Sequence, residues 1–326
     1  MSDVRCQPTV ERFWRAVGLL AGFALAGAPR IALAQGGRSA GVVLELPASA
    51  RALALGNVYA AAGADESSVF YDPAQLAAVK TLAAGVSVQP YLASTTLGAV
   101  AVAVPLRSRG LAWTVGIGVQ ALDYGSAPEL VADAGTGAGV PTGGRVSASD
   151  YVGSIGVGVG ASPWRVGAAA RYVSQRIAGD AGGTAALDIG MAVDVGRGAT
   201  IAAVVQNLGG SLTTGGVTSS LPRNARVAGA TPLLTRGDVA VDATAELVLP
   251  RHGNALGAGG AEVRWRATGA LELAGRVGVL ARPAGSIAAP VTFGGGVRAS
   301  HFAVDYAYQK FDAFGGTHRL GGRWWR

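Results

Sequence analysis

From Leu82 onward, apolar and polar residues alternate along the chain with a period of two. Trp164–Gln175 shows this most clearly: Trp164, Val166, Ala168, Ala170 and Tyr172 interleave with Arg165, Gly167, Ala169, Arg171, Val173 and Gln175. Successive side chains of a strand point to opposite faces. One face of this segment is therefore apolar, and the other is mostly polar or small. Its two aromatics stand about 26 Å apart along the strand, or about 20 Å in height after a tilt of about 40°. Outer-membrane barrels carry an apolar band roughly 25 Å tall with aromatics at both edges. A soluble sandwich turns its apolar faces inward instead. The pattern predicts a transmembrane strand with lipid on one side and a lumen on the other.

The alternation recurs. Leu111, Trp113, Val115, Ile117 and Val119 oppose Ala112, Thr114, Gly116, Gly118 and Gln120; Val239, Val241, Ala243, Ala245 and Leu247 oppose Asp242, Thr244 and Glu246. Phe302, Val304, Tyr306 and Tyr308 oppose Asp305 and Gln309. Fourteen strands are predicted: Leu82–Pro90, Leu97–Leu106, Leu111–Leu122, Tyr151–Ala161, Trp164–Gln175, Thr184–Val195, Ala199–Leu208, Arg223–Leu234, Asp238–Leu249, Ala255–Ala267, Ala270–Arg282, Pro290–Ala299, His301–Lys310 and Thr317–Trp325. The seventh and twelfth alternate weakly. Short links such as Ser162-Pro163 and Thr268-Gly269 take turns with longer ones, notably Asp123–Asp150 and Gly209–Pro222. Outer-membrane barrels have short periplasmic turns, longer outer loops and an even strand number. The expected fold is all-β: a transmembrane antiparallel β-barrel of about 14 strands, residues 81–326, with a short amino-terminal plug or arm.

That plug or arm is expected over residues 35–80. Asp72 is placed to cap a short helix begun by Pro73. The segment either gates the barrel mouth or only seals the lumen. Residues 1–34 read as a secretory signal peptide: a leader with Arg5, Arg12 and Arg15, an apolar run from Ala16 to Ala28, and Ala32-Leu33-Ala34. The single cysteine, Cys6, falls inside it, so the mature chain is expected to have no disulfide.

The composition fits a barrel. Half of the 326 residues are hydrophobic, yet no run after about residue 34 reaches the 18 or more apolar residues of a membrane helix. The 51 glycines suit turns and crowded lumens. Formal net charge is +7; the leader holds four arginines against Asp3 and Glu11, a net of +2, which leaves +5. The arginines are scattered singly, so no nucleic-acid partner is expected.

The lumen-facing charges are expected to be Arg165, Arg171, Asp188, Asp194, Asp242, Glu246, Glu262, Arg264, Glu272, Arg276 and Asp305, together with Arg266 and Arg282. They either select a solute by charge or pair with one another inside a filled barrel, where unpaired ones are costly. The aromatic girdle is expected from Trp113, Trp164, Tyr172, Trp265, Tyr306 and Tyr308. His252, His301 and His318 are dispersed and lack metal-ligand spacing. No phosphate loop follows Gly156–Gly160 or Gly294–Gly296. The expectation is a protein that is not an enzyme and holds no metal or cofactor.

Ala50-Arg51-Ala52-Leu53-Ala54-Leu55-Gly56-Asn57, Tyr59 to Asp65, and Val69 to Ala77 with Tyr71-Asp72-Pro73-Ala74 resemble the amino-terminal signature of the PorV/PorQ family of outer-membrane proteins. The resemblance marks Arg51, Gly56, Asp65, Tyr71, Asp72, Pro73 and Ala74 as a plug motif. Asp72 and Gln75 stand where that family has Asn and Gly. Further pieces follow in the family's order: Asp123-Tyr124-Gly125, Leu187-Asp188-Ile189-Gly190, Gln206-Asn207-Leu208-Gly209, and Asp305-Tyr306-Ala307-Tyr308 through Thr317-His318-Arg319-Leu320. The family is related to FadL-type barrels. The resemblance implies an outer-membrane location in a Gram-negative-type cell. It implies first a non-enzymatic role in type IX secretion, cargo docking or surface assembly, with secreted cargo and other secretion components as partners; the alternative is passage of hydrophobic molecules such as fatty acids. A shared fold does not choose between them.

Overall fold

The computed structural model describes residues 39–108, 111–282, 286–312 and 314–326. The signal peptide and Cys6 lie outside the described residues.

Fourteen antiparallel strands close into a barrel. In chain order they are β1 (Ala83–Pro90), β2 (Thr96–Ser108), β3 (Leu111–Ala132), β4 (Gly139–Ala161), β5 (Trp164–Ile177), β6 (Asp180–Asp194) and β7 (Thr200–Gly209), then β10 (Asn224–Arg236), β11 (Val239–Pro250), β12 (Leu256–Arg266), β13 (Leu271–Leu280), β14 (Ala288–Ala299), β15 (Phe302–Phe311) and β16 (Gly315–Trp325). Between β7 and β10 a separate hairpin, β8 (Ser211–Thr214) and β9 (Val217–Ser220), crosses the mouth. Closure is made by β1 against β16, with Ala83 opposite Trp325 and Val88 opposite Leu320.

The alternation is realised as lipid-side and lumen-side faces. On β5, Trp164, Val166 and Tyr172 are exposed, whereas Ala169, Arg171 and Val173 are buried. On β15, Phe302, Val304 and Tyr306 are exposed and Ala303, Asp305 and Ala307 buried. Lipid covers the first set, which removes the penalty that water would impose on so much apolar surface. No helix among the described residues is long and apolar enough to cross a membrane; the crossing is made by strands. The chain is an outer-membrane barrel.

Both weakly alternating strands have a broken register. β7 slips against β6 between Leu187 and Ile189, where Asn207 takes a left-handed backbone. β14 slips against β15 between Ala288 and Thr292. A bulge inserts residues that face neither side regularly, so the period of two fades there.

The long links also differ from simple loops. Asp123–Asp150 is a continuation of β3 and β4 beyond the barrel rim, paired out to Ala132 and Gly139. The Gly/Ala-rich composition hid this: small residues dilute the hydrophobic alternation that marks a strand, though Leu130, Val131 and Val140 pair across it. Gly209–Pro222 contains the β8–β9 hairpin.

Candidate functional site

With the short turns placed in the periplasm, residues 39–46 sit at the outer mouth and residues 79–83 at the periplasmic end. Ser39 bridges to Ser220 of β9, and Ala40 donates its N–H to the Ser220 carbonyl at 3.0 Å. From there the chain runs down through the bore. Ala50–Ala54 forms a short helix, α1, capped by Ser49, which accepts from the Ala52 N–H at 3.2 Å. Ser68–Tyr71 forms α2. Asp72 then caps a 3-10 turn, Pro73–Ala78, accepting from the Ala74 N–H at 2.9 Å. The sequence expected a cap and a proline start at this place; the helix they begin is 3-10.

The wall makes room for this plug with glycine. A methyl group at Gly190 would overlap the Asp72 carboxylate, and one at Gly167 would overlap Pro73 and Ala74. Gly56 itself has a φ of +73° and lies against the backbone of Val279.

Polar grips then fix the plug. Arg171 and Gln206 both donate to the Phe70 carbonyl, at 2.8 and 3.1 Å, and Gln206 reaches the Tyr71 carbonyl at 2.7 Å. These are the orphan carbonyls at the end of α2. Arg51 donates to both oxygens of Glu262 (3.1 and 3.0 Å) and to the Tyr59 hydroxyl at 3.1 Å. Tyr59 in turn donates to Asp65. Glu246 accepts from the N–H groups of Tyr59 and Ala60, both at 3.2 Å. The Tyr71 hydroxyl accepts from the Ala48 N–H at 2.8 Å.

Apart from Arg266 and Arg282, the expected lumen charges face inward and are paired. Arg171 bridges Asp188, Arg165 bridges Asp194, and Arg264 bridges Asp242. Arg276 joins Glu262 to Asp305. Glu246 pairs with Arg226 at 2.7 Å, and Glu272 with Arg298 at 3.3 Å. Arg266 and Arg282 join none of these pairs among the described residues; Arg282 lies beyond the end of β13.

Several key residues escaped the sequence reading. Arg319 and Arg323 hold the plug, Arg226 holds its partner Glu246, and Arg298 pairs with Glu272 on the wall. Arg319 is fully buried and donates to the Ala48 carbonyl (2.8 Å), Ser87 Oγ (2.7 Å) and Gln89 Oε1 (3.2 Å). Their inward parity along each strand was the available signal.

The girdle candidates take different heights. Trp113, Trp164 and Trp265 stand at the periplasmic ends of β3, β5 and β12, joined by Phe302 and Trp324. Tyr172 lies toward the outer rim. Tyr306 and Tyr308 sit inside the apolar belt, four and six positions beyond Phe302.

Two chemical regions result. At the outer mouth, Val43, Leu44 and Leu46 of the arm fill a chamber walled by Leu97, Leu122, Val152, Val173, Ala186, Leu212 and Leu221. Lower down, ion pairs crowd the side formed by β11–β16. A cavity of about 20 Å³ lies between Arg51, Tyr59, Glu66 and Arg323, which is room for about one water. Among the described residues no group of His, Cys, Asp or Glu is arranged to hold a metal ion.

No protein-family model matches the chain, and no curated protein matches it either. Solved structures do share the fold. The Pseudomonas putida toluene transporter TodX superimposes with a TM-score of 0.55 at 11% identity, over 85% of this chain and 97% of TodX. The Ralstonia pickettii toluene transporter TbuX gives 0.56 at 13% identity, over 86% and 98%. A FadL homologue from Pseudomonas aeruginosa gives 0.54 at 9% identity, over 86% and 98%. The fold is thus shared with these outer-membrane barrels, of which TodX and TbuX are toluene transporters.

Proposed function

We propose that the protein passes hydrophobic molecules across the outer membrane, with the amino-terminal arm as its gate. The observation that carries this reading is the apolar chamber at the outer mouth, now occupied by Val43, Leu44 and Leu46. A small apolar molecule can take the place of those side chains, because the same walls shed the same water. The arm is the part of the plug suited to move. Among the described residues, 39–47 make no ion pair to the wall, whereas Arg51, Asp65 and Glu66 are bound by several. In this reading Arg51, Gly56, Asp65, Tyr71, Asp72, Pro73 and Ala74 anchor the plug body while the arm yields. The toluene-transporter fold supports it by analogy.

The test is uptake of labelled fatty acid or toluene by liposomes carrying the purified protein. Faster uptake than by empty liposomes supports the proposal, and equal uptake overturns it.

A second reading, cargo docking of the PorV/PorQ kind, has one observation in its favour. The β3–β4 hairpin projects past the rim with Leu130, Val131 and Val140 exposed at its end. Absence of every other type IX component from the source organism would remove it.

A further inference from the structure

The lipid-facing wall carries one anomaly. Among the described residues, the Asp, Glu, Lys, Arg and His side chains on the outward faces of the strands stand at the rims, as Arg236 does at the inner one and Asp123, Arg176 and Lys310 at the outer. His318 is the exception. It lies on β16 six positions from Trp324, on the same face, about 15 Å above the periplasmic girdle. An ionisable group inside the apolar belt is costly and marks a candidate site.

The surroundings of His318 are built. Tyr306 Oη and His318 Nδ1 are 2.8 Å apart. When the hydroxyl donates, the ring proton is on Nε2, and Nε2 has no hydrogen-bond partner among the described residues. Tyr308 lies directly opposite His318, with ring centroids 5.3 Å apart. A methyl group at Gly316 would overlap the Tyr308 ring, so glycine lets that ring lie over the bare backbone. Lys310, opposite Gly316, is the diagonal neighbour of His318 on the same face. Its long stem reaches the rim, where a charged head remains hydrated. Exposed Phe293, opposite Tyr308 on β14, supplies apolar surface on one side, and exposed Phe314 lies in the turn between β15 and β16.

We propose that His318, Lys310 and Tyr306 form a binding site for the phosphate-monoester headgroup of an anionic lipid in the outer leaflet. Membrane is what covers this face, so the occupant is an amphiphile. The Lys310 amine at the rim and the imidazole N–H one diagonal step below it share the same outward face of adjacent strands, and a phosphate monoester drawn to that level accepts from both while its acyl chains lie along Phe293, Tyr308 and Leu320. The site is on the outside of the wall and is independent of the arm and the bore.

Native mass spectrometry of the detergent-purified full-length protein tests this with phosphatidic acid and the matching diacylglycerol. Phosphatidic acid should be retained at least fivefold better, and His318→Ala and Lys310→Gln should each abolish most of that preference. Tyr306→Phe, which releases the imidazole, should reduce it partway. Equal retention of the two lipids, an unchanged preference in both His318→Ala and Lys310→Gln, or full displacement of phosphatidic acid by inorganic phosphate would each overturn the proposal. Heat-shifted gel mobility checks that each variant still forms a barrel. Should His318→Ala fail that check, Lys310→Gln, at the rim, decides the matter.

Discussion

Arg323, on the strand that closes the barrel, grips Glu66 of the plug at two points: Nε to Oε1 at 2.9 Å and Nη2 to Oε2 at 3.2 Å. Asp65 lies 3.5 Å from the same guanidinium. One arginine thus touches two adjacent carboxylates and joins the amino-terminal plug to the last strand. Arg323→Ala would leave Glu66 unpaired beside Asp65, which keeps Arg51 at 3.7 Å, a loss of about 3 kcal/mol by the cost of breaking a buried pair. The expected outcome is transient opening of the bore, read as conductance bursts in planar bilayers that wild type lacks. Adding Glu66→Gln to Arg323→Ala should restore much of the quiet state.

Gly190 and Asp72 give a steric test. A side chain at Gly190 and the cap carboxylate of Asp72 compete for one space. Gly190→Val should expel the Pro73–Ala78 turn while the barrel still closes. Limited proteolysis should then cut within residues 65–80, with the heat-shifted gel mobility of the barrel retained.

Leu44 is buried in the apolar chamber at the outer mouth. Leu44→Asp would place a carboxylate against Leu97, Val152 and Leu221, at a cost of about 2 kcal/mol or more for an uncompensated polar group. The arm should leave the chamber. If the arm is a gate, uptake of labelled fatty acid rises several-fold; unchanged or slower uptake counts against gating.

Asp133, at the tip of the β3–β4 hairpin, is fully exposed and accepts from the Thr136 N–H (2.8 Å), the Thr136 hydroxyl (2.9 Å) and the Gly135 N–H (3.0 Å). The bonds from Thr136, and then that from Gly135, hold its carboxyl below the ordinary 3.8. A lowered folded value means that the contribution to tip order is complete above pH 3.8 and fades as pH falls through the shifted value. Amide exchange at Gly135 and Thr136, after correction for intrinsic rates, should be flat above pH 4 and rise below it. Asp133→Ala should show the raised exchange at every pH.

Much of this was written in the local pattern. Trp164–Gln175 announced its two faces because lipid and lumen impose opposite chemistry on neighbouring residues. The fourteen strands and the Asp72 cap followed from equally local rules. The partners of the plug did not. Arg51 and Glu262, or Glu66 and Arg323, are more than two hundred residues apart in sequence, and closure of the sheet alone brings them together. Arg319 was missed because its partners are carbonyl, hydroxyl and amide oxygens, with no acid to advertise it. The β3–β4 projection stayed hidden because glycine and alanine carry backbone pairing without a hydrophobic signature.

Ser39 lies beside the outer hairpin, and Trp325 pairs with Ala83 at the opposite end of the bore. The two ends of the described chain therefore emerge on opposite sides of the membrane. An epitope inserted beside Ser39 should be stained on intact cells, whereas one fused after Arg326 should be stained only once the outer membrane is breached. Because the descending segment is encircled by its own wall, the machinery that inserts this protein must either join β1 to β16 around that thread or draw the thread up through a bore already closed.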